Sequence, residues 1–205
     1  LEEKLRQYTP CQGLIVTDAV FSMDGDIAKL PSILSLAKKY RVLTMVDEAH
    51  ATGVIGAGGR GICEYYGLDQ QPDILMGTLS KSLASEGGYV CGSQLLIDYL
   101  RNTARSYIFS TSLVPASLAA ADKALELLEQ EPMLVKRLQE NVKIFCRGLR
   151  NYGIDVNSET AIIPILLHNE KYAVDIAEKL KVARSYGDLS ENSEYDRSEE
   201  RRVGK

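Results

Sequence analysis

Val46-Asp47-Glu48-Ala49-His50 and Gly77-Thr78-Leu79-Ser80-Lys81-Ser82 decide how this chain is read. Each closes an apolar run, Val42-Leu43-Thr44-Met45-Val46 before the first and Ile74-Leu75-Met76 before the second. In an open α/β sheet, ligands and reactive groups gather at the carboxyl ends of the strands. The two stretches are thus expected to bring a carboxylate, an imidazole, hydroxyls and a lysine amine to one crevice. Lys81 lies among Ser80, Ser82, Ala84, Gly87 and Gly88, small neighbours that suit an amine forming a Schiff base with a carbonyl. An aspartate such as Asp47 is what pyridoxal phosphate needs to keep its ring nitrogen protonated.

Asp47-Glu48-Ala49-His50 also spells the acidic box of certain helicases, where carboxylates at a strand end hold Mg²⁺ and a phosphate loop is required as well. Gly77-Thr78-Leu79-Ser80-Lys81-Ser82 does not supply that loop. It has no glycine immediately before Lys81, it is too short after Gly77, and it follows the acidic strand instead of preceding it. The helicase reading fails on these grounds.

Around these stretches the pattern is strand, helix, strand. Residues 14–17 are β-rich, and a turn, Met23-Asp24-Gly25-Asp26, follows Asp18-Ala19-Val20-Phe21-Ser22. Leu30, Ile33, Leu34 and Ala37 fall at i, i+3, i+4 and i+7 of a helix that tolerates Pro31 in its first turn and carries Lys38, Lys39 and Arg41 at its end. A strand over 42–46 completes a βαβ unit, which implies a parallel pair. Residues 53–61 form a glycine-dense loop. Strands are expected over 73–79, 88–92 and 107–109, with a helix over 94–105. From Pro115 a long helix runs to about residue 150, broken near Glu131-Pro132. Residues 161–167 restart a strand and 172–180 a helix.

The chain has 205 residues, 45% hydrophobic and 25% charged, with a net charge of −4. That is an ordinary globular composition, with no electrostatic reason to bind nucleic acid or a membrane surface. No apolar run reaches the roughly 20 residues of a membrane span. The start, Leu1-Glu2-Glu3-Lys4-Leu5-Arg6, is neither a signal peptide nor an initiator methionine, so the chain is expected to begin inside a longer protein. The four cysteines, Cys11, Cys63, Cys91 and Cys146, are scattered and read as buried, reduced thiols of a cytoplasmic protein. His50 and His168 are far apart in sequence, so no metal site is expected, and His168 reads as a structural residue.

Five stretches then resemble a known family, the α-oxoamine synthases of the fold-type I pyridoxal-phosphate enzymes. They are Phe21-Ser22-Met23-Asp24-Gly25-Asp26, Val46-Asp47-Glu48-Ala49-His50-Ala51-Thr52-Gly53, Gly59-Arg60-Gly61, Met76-Gly77-Thr78-Leu79-Ser80-Lys81 and Phe109-Ser110-Thr111-Ser112. Each alone is weak; their common order is specific, and the likeness covers residues 1 to about 180. The resemblance implies an α/β fold with a mostly parallel sheet and flanking helices. Residues 1–125 would be part of a cofactor-binding large domain. Residues 126–180 would be connecting helices and the start of a small domain.

By the same resemblance Lys81 would be the Schiff-base lysine that also moves the substrate α-proton. Asp47 would pair with the pyridine nitrogen, His50 and Ser22 would bond the phenolic oxygen, and Thr78 would reach the cofactor phosphate. Ser110 and Thr111 would cross a homodimer interface to the neighbour's phosphate. Family members condense an amino acid with an acyl-CoA and release CO₂. Glu48-Ala49-His50-Ala51-Thr52 resembles the oxononanoate-synthase branch, which implies L-alanine and a pimeloyl thioester, as in biotin biosynthesis. The glycine C-acetyltransferases and a catalytically silent scaffold remain alternatives. Family residues that stack on the ring and bind the substrate carboxylate have no counterpart in this chain, so it is expected to be inactive alone.

From Lys181 the composition changes. Among residues 181–205 the only aliphatic side chains are Val182, Ala183, Leu189 and Val203, and the segment reads as a solvated, disordered tail foreign to the family. Residues 181–196 resemble the coiled-coil tip of Gre transcript-cleavage factors, in which Asp188 and Glu191 would be the acidic pair near Mg²⁺.

Overall fold

The computed structural model describes residues 1–8, 12–167 and 169–187. It divides the chain into two compact units, Leu1–Pro164 and Ile165–Lys205. In the first unit the elements run α1 (Glu2–Tyr8), β1 (Leu14–Asp18), α2 (Leu30–Tyr40), β2 (Leu43–Asp47), α3 (Ile62–Tyr66), β3 (Ile74–Thr78), β4 (Gly88–Gly92), α4 (Gln94–Thr103), α5 (Arg105–Ile108), α6 (Pro115–Gln130) and α7 (Met133–Asn151). The sheet order is β1-β2-β3-β4; β1, β2 and β3 are parallel and β4 is antiparallel to β3.

The expected βαβ unit is formed by β1, α2 and β2. Leu30, Leu34 and Ala37 are buried on one stripe of α2, and Arg41 ends the helix in the left-handed conformation at φ 54°. Strand alternation places Ile15, Val46 and Leu75 on the sheet face that meets α2. There Leu30, Leu34, Val46, Ile55 and Ile62 form the main core. Thr44 is buried on β2, and its backbone N–H and hydroxyl both donate to Asp73 Oδ2, at 2.8 and 2.9 Å. This pair of bonds fixes the entry of β3 beside β2.

The opposite face is uncovered. Leu14, Val16, Leu43 and Val90 lie 48%, 61%, 54% and 44% exposed. A contiguous apolar face of this kind drives association in water. This chain on its own is expected to bind a hydrophobic dye strongly and to elute above monomer size in gel filtration. A dye-silent monomer would contradict the exposure of these four side chains.

Two elements differ from expectation. Tyr107-Ile108-Phe109 is not a strand: α5 occupies Arg105–Ile108, and Tyr107 and Phe109 are 64% and 78% exposed, with no neighbouring strand to pair with. Residues 161–167 also form no strand. Pro164 removes a ladder donor, and the Ile162 carbonyl is taken by the Ser158 hydroxyl at 2.6 Å. The first unit runs to Pro164, where Val156 packs with Val142 and Cys146 of α7, and Thr160 Oγ1 donates to the Gly25 carbonyl at 3.2 Å. Of the cysteines, Cys63 and Cys146 are buried, while Cys91, on the edge strand β4, is exposed.

In the second unit α8 (Glu170–Gly187) is capped by Asn169, whose Oδ1 accepts from the Tyr172 N–H at 3.1 Å. The helix continues through Lys181 to Gly187. Lys181, Ala183 and Arg184 are good helix formers, so loss of apolar content at Lys181 does not end the helix. Cys11, His168 and residues 188–205, with Asp188 and Glu191, lie outside the described residues.

Candidate active site

The carboxyl ends of β1, β2 and β3 share one edge. Asp18 pairs in register with Asp47, and Asp47 with Met76, so Asp47 sits centrally in that row with Thr78 just beyond it. After β2 the chain turns tightly. Asp47 Oδ1 accepts from the Ala49 N–H at 2.8 Å, and the Glu48 carbonyl accepts from Ala51 and Thr52 at 2.9 and 3.0 Å. His50 rides on this turn, half-buried, with its imidazole free of hydrogen bonds to the described residues. Ser22 is exposed on the turn after β1, which is closed by the Phe21 N–H to the Asp26 carbonyl at 2.9 Å and by the Gly25 N–H to the Phe21 carbonyl at 2.8 Å.

Lys81 stands on a compact loop between β3 and β4. Leu79 and Leu83 anchor the loop by burial against Ala121 of α6. Leu79 donates to the Gly87 carbonyl at 2.9 Å, Ser85 to the Leu79 carbonyl at 2.8 Å, and the Ser85 hydroxyl to the Ser117 carbonyl at 2.6 Å. Lys81 itself points out of this cluster, exposed, and its amine has no hydrogen-bond or ion-pair partner among the described residues. A rigid base with a free amine is the arrangement a nucleophilic lysine requires.

The Lys81 loop and the Asp47–His50 turn are locked together. The Ser82 hydroxyl donates to the Thr52 carbonyl at 2.7 Å. The Thr52 hydroxyl lies 2.9 Å from the Tyr89 hydroxyl on β4. Gly53 makes the approach possible, since a Cβ at its position would lie 2.6 Å from Ser82 Cβ, and its φ is +77°. Gly53→Ala is therefore expected to destabilise the protein by about 2 kcal/mol or more, from the left-handed backbone and the clash together. A melting temperature within one degree of the wild type would refute that packing.

Thr78 uses its hydroxyl locally. It donates to the Gly87 carbonyl at 3.2 Å, lies 2.7 Å from the Ser80 hydroxyl, and accepts from the Ser80 N–H at 3.2 Å. Binding a phosphate would require this hydroxyl to turn from Gly87. Ser110 and Thr111 are exposed between α5 and α6 and make no hydrogen bond to the other candidate residues. The chain thus gathers Asp47, His50, Thr78 and Lys81 at one edge, puts Ser22 on the neighbouring turn, and leaves Ser110 and Thr111 apart. Ser82, Thr52, Tyr89 and Gly53 were not expected as site residues. Ser82, Thr52 and Gly53 lie within the quoted stretches, but their role depends on the Ser82–Thr52 bond, between residues 30 positions apart.

Two buried groups have shifted protonation. Burial pushes the Glu48 carboxyl up to about 7, with the adjacent Asp47 adding to the shift and a hydrogen bond from Ile62 opposing it. Burial, then Glu48, pushes the Cys63 thiol up to about 11.

A mostly parallel sheet with this lysine loop and carboxylate turn at its carboxyl edge defines the large-domain architecture of the fold-type I transferases. The chain belongs to the aminotransferase class I and II family, whose pattern matches residues 1–190. It is 47% identical over 184 residues to an 8-amino-7-oxononanoate synthase of Petrotoga mobilis, covering 88% of this chain and 47% of that protein. Its fold is similar to a serine palmitoyltransferase of Sphingomonas wittichii, with a TM-score of 0.78 and 33% identity over 84% of this chain and 44% of the other. It is also similar to an 8-amino-7-oxononanoate synthase of Francisella tularensis, with a TM-score of 0.70 and 28% identity over 88% of this chain and 54% of the other. The chain spans about half the length of the curated relatives it matches.

Proposed function

We propose that the complete protein carrying this chain is a pyridoxal-phosphate-dependent acyltransferase. It joins an amino acid, L-alanine, to an acyl-CoA, a pimeloyl thioester, with release of CO₂ and the CoA thiol, as in biotin biosynthesis. The observation that carries this reading is the Ser82–Thr52 bond, which sets the loop bearing Lys81 against the turn bearing Asp47 and His50. The 47% identity to a synthase of that name supports the substrate pair.

The residues present fit the cofactor. Lys81 offers an unpartnered amine, and Asp47 spends only Oδ1 on the turn, leaving Oδ2 open. When bound, the cofactor supplies an electron sink for the substrate's α-carbon. Lys81 Nζ would hold the cofactor through its carbonyl carbon, with loss of water, and would move the α-proton. Asp47 keeps the ring nitrogen protonated, His50 and Ser22 orient the phenolic oxygen, and Thr78 takes the phosphate. Ser110 and Thr111, exposed between α5 and α6, would serve the neighbouring subunit's phosphate in a homodimer. Residues 1–125 carry the cofactor domain and 126–180 the passage to the small domain, while 181–205 take no part. No described helix is long and apolar enough to cross a membrane. A cytoplasmic location is part of the same proposal, supported by the likeness to a synthase of biotin biosynthesis.

The test is thiol release by the complete protein from alanine with pimeloyl-CoA, serine with palmitoyl-CoA and glycine with acetyl-CoA. The first pair is expected to be fastest. The second pair is a real competitor, because the serine palmitoyltransferase gives the higher TM-score of the two solved relatives. Cofactor binding without thiol release from any pair would favour a silent scaffold. Asp47→Asn should lower turnover about a hundredfold or more, since an unprotonated ring is a poor electron sink. Turnover unchanged in that variant would remove Asp47 from the site.

A further inference from the structure

Glu48 lies between the two residues assigned to the cofactor, yet its side chain has no role in that assignment. Just past the end of β2, the continued alternation of side chains sends it into the core, away from Asp47. It is only 4% exposed. One carboxyl oxygen, Oε1, accepts from the Ile62 N–H at 3.0 Å; the other, Oε2, is buried with no hydrogen-bond partner. Gly61, at φ +84°, lies so close to Oε2 that any side chain there would overlap the carboxyl.

The residue is also a backbone junction. Its N–H donates to the Met76 carbonyl at 2.7 Å, tying the end of β2 to β3. Its carbonyl holds Ala51 and Thr52 and so shapes the turn on which His50 sits. The glycine loop returns to the same turn through the Gly53 N–H to the Gly59 carbonyl at 2.7 Å. A second carboxylate, Glu64 of α3, serves the loop: its Oε2 accepts from the Gly58 and Arg60 N–H groups, both at 2.9 Å. Glu64 is well supplied with donors, and Glu48 is not.

The titratable groups that interact electrostatically with Glu48 are Asp47, next to it in sequence, Cys63 on α3 and Tyr89 on β4. None is a cation, and Glu48 forms no ion pair among the described residues. A buried carboxylate with one donor and an acidic neighbour is a poor arrangement, whereas a neutral acid tolerates it far better.

We propose that Glu48 is a positioning residue for Asp47 and His50. Its carboxyl, as the neutral acid, fastens the turn that bears them to the Gly61–Ile62 backbone. The proposal rests on the reading of Asp47 and His50 as cofactor contacts. It predicts that shape and hydrogen bonding at this position matter and that negative charge does not.

The experiment compares the complete protein with its Glu48→Gln and Glu48→Ala variants in two measurements. The first is amide hydrogen exchange of the cofactor-free protein; the second is pyridoxal phosphate affinity by absorbance titration. Glu48→Ala should speed exchange in the peptide over 47–53 as well as around Ile62, and leave α2 unchanged. It should also weaken the cofactor about tenfold, the loss of one buried hydrogen bond. Glu48→Gln, which mimics the neutral acid, should stay within about threefold of the wild type at pH 6, and between pH 6 and pH 8 it should lack the added weakening with rising pH that ionisation of Glu48 gives the wild type. Faster exchange confined to 61–66 would overturn the proposal, and so would a Glu48→Gln variant that loosens the 47–53 turn as the alanine does. If Glu48→Ala does not fold, the Glu48→Gln comparison alone decides: a pH dependence equal to the wild type's refutes the neutral latch. If the wild type binds no pyridoxal phosphate, the proposed function falls, and the exchange measurement still reports on the latch.

Discussion

Replacing Lys81 with alanine is expected to lower thiol release at least about a thousandfold, because in the proposed reaction one amine would both hold the cofactor carbon and move the α-proton. The loop around Lys81 does not depend on this side chain. Leu79 and Leu83 anchor it in the core, and Ser82 and Ser85 bond outward to Thr52 and Ser117. The lysine itself is exposed and has no partner among the described residues, so its removal should leave the melting temperature nearly unchanged. That separation makes the result interpretable, since a large loss of rate with an intact fold points to chemistry. Added small primary amines should return part of the rate if proton transfer is what was lost. Turnover within tenfold of the wild type would show that another group does the work of Lys81.

The sheet was legible in the sequence where local pattern and tertiary role agree. Residues 42–46 and 74–76 are apolar runs that end in polar residues, and both became parallel strands with Asp47 and Thr78 at their carboxyl ends. The helix carrying Leu30, Leu34 and Ala37 shows its buried stripe in its spacing. Apolar content misled where no partner strand was available. Tyr107-Ile108-Phe109 and residues 161–167 have strand composition, yet a strand exists only through its ladder, and neither segment has one here. Lys81 could be singled out because its neighbours in sequence are unusually small. The Ser82–Thr52–Tyr89 contact could not, because it joins three loops and strands whose proximity follows only from the order β2-β3-β4. Glu48 was legible as an acid and illegible as a buried one: its neighbour Asp47 has the same chemistry and points to the other face.

That burial gives Glu48 the second large expected effect, on stability as a function of pH. Its pKa is raised from 4.5 to about 7 in the folded state. Between those values the folded protein holds a proton that the unfolded chain has released, so stability is fully present below about pH 4.5 and falls as pH rises through 7. For a shift of this size the loss is about 3 kcal/mol. The group is only 4% exposed, so solvent screening does little to reduce it. Cys63, pushed up to about 11, titrates above this window. Glu2, held near 2 by Lys39 and Tyr40 at the surface, titrates below it. The measurement is urea unfolding of the cofactor-free complete protein at pH 5 and pH 8, wild type against Glu48→Gln, so that every other titrating group cancels in the difference. The wild type should lose about 3 kcal/mol more than the variant over this interval. Equal losses would mean that Glu48 is ionised in the folded protein at both pH values. Its unpaired oxygen would then need a donor that the described residues do not provide, and the neutral latch would be withdrawn.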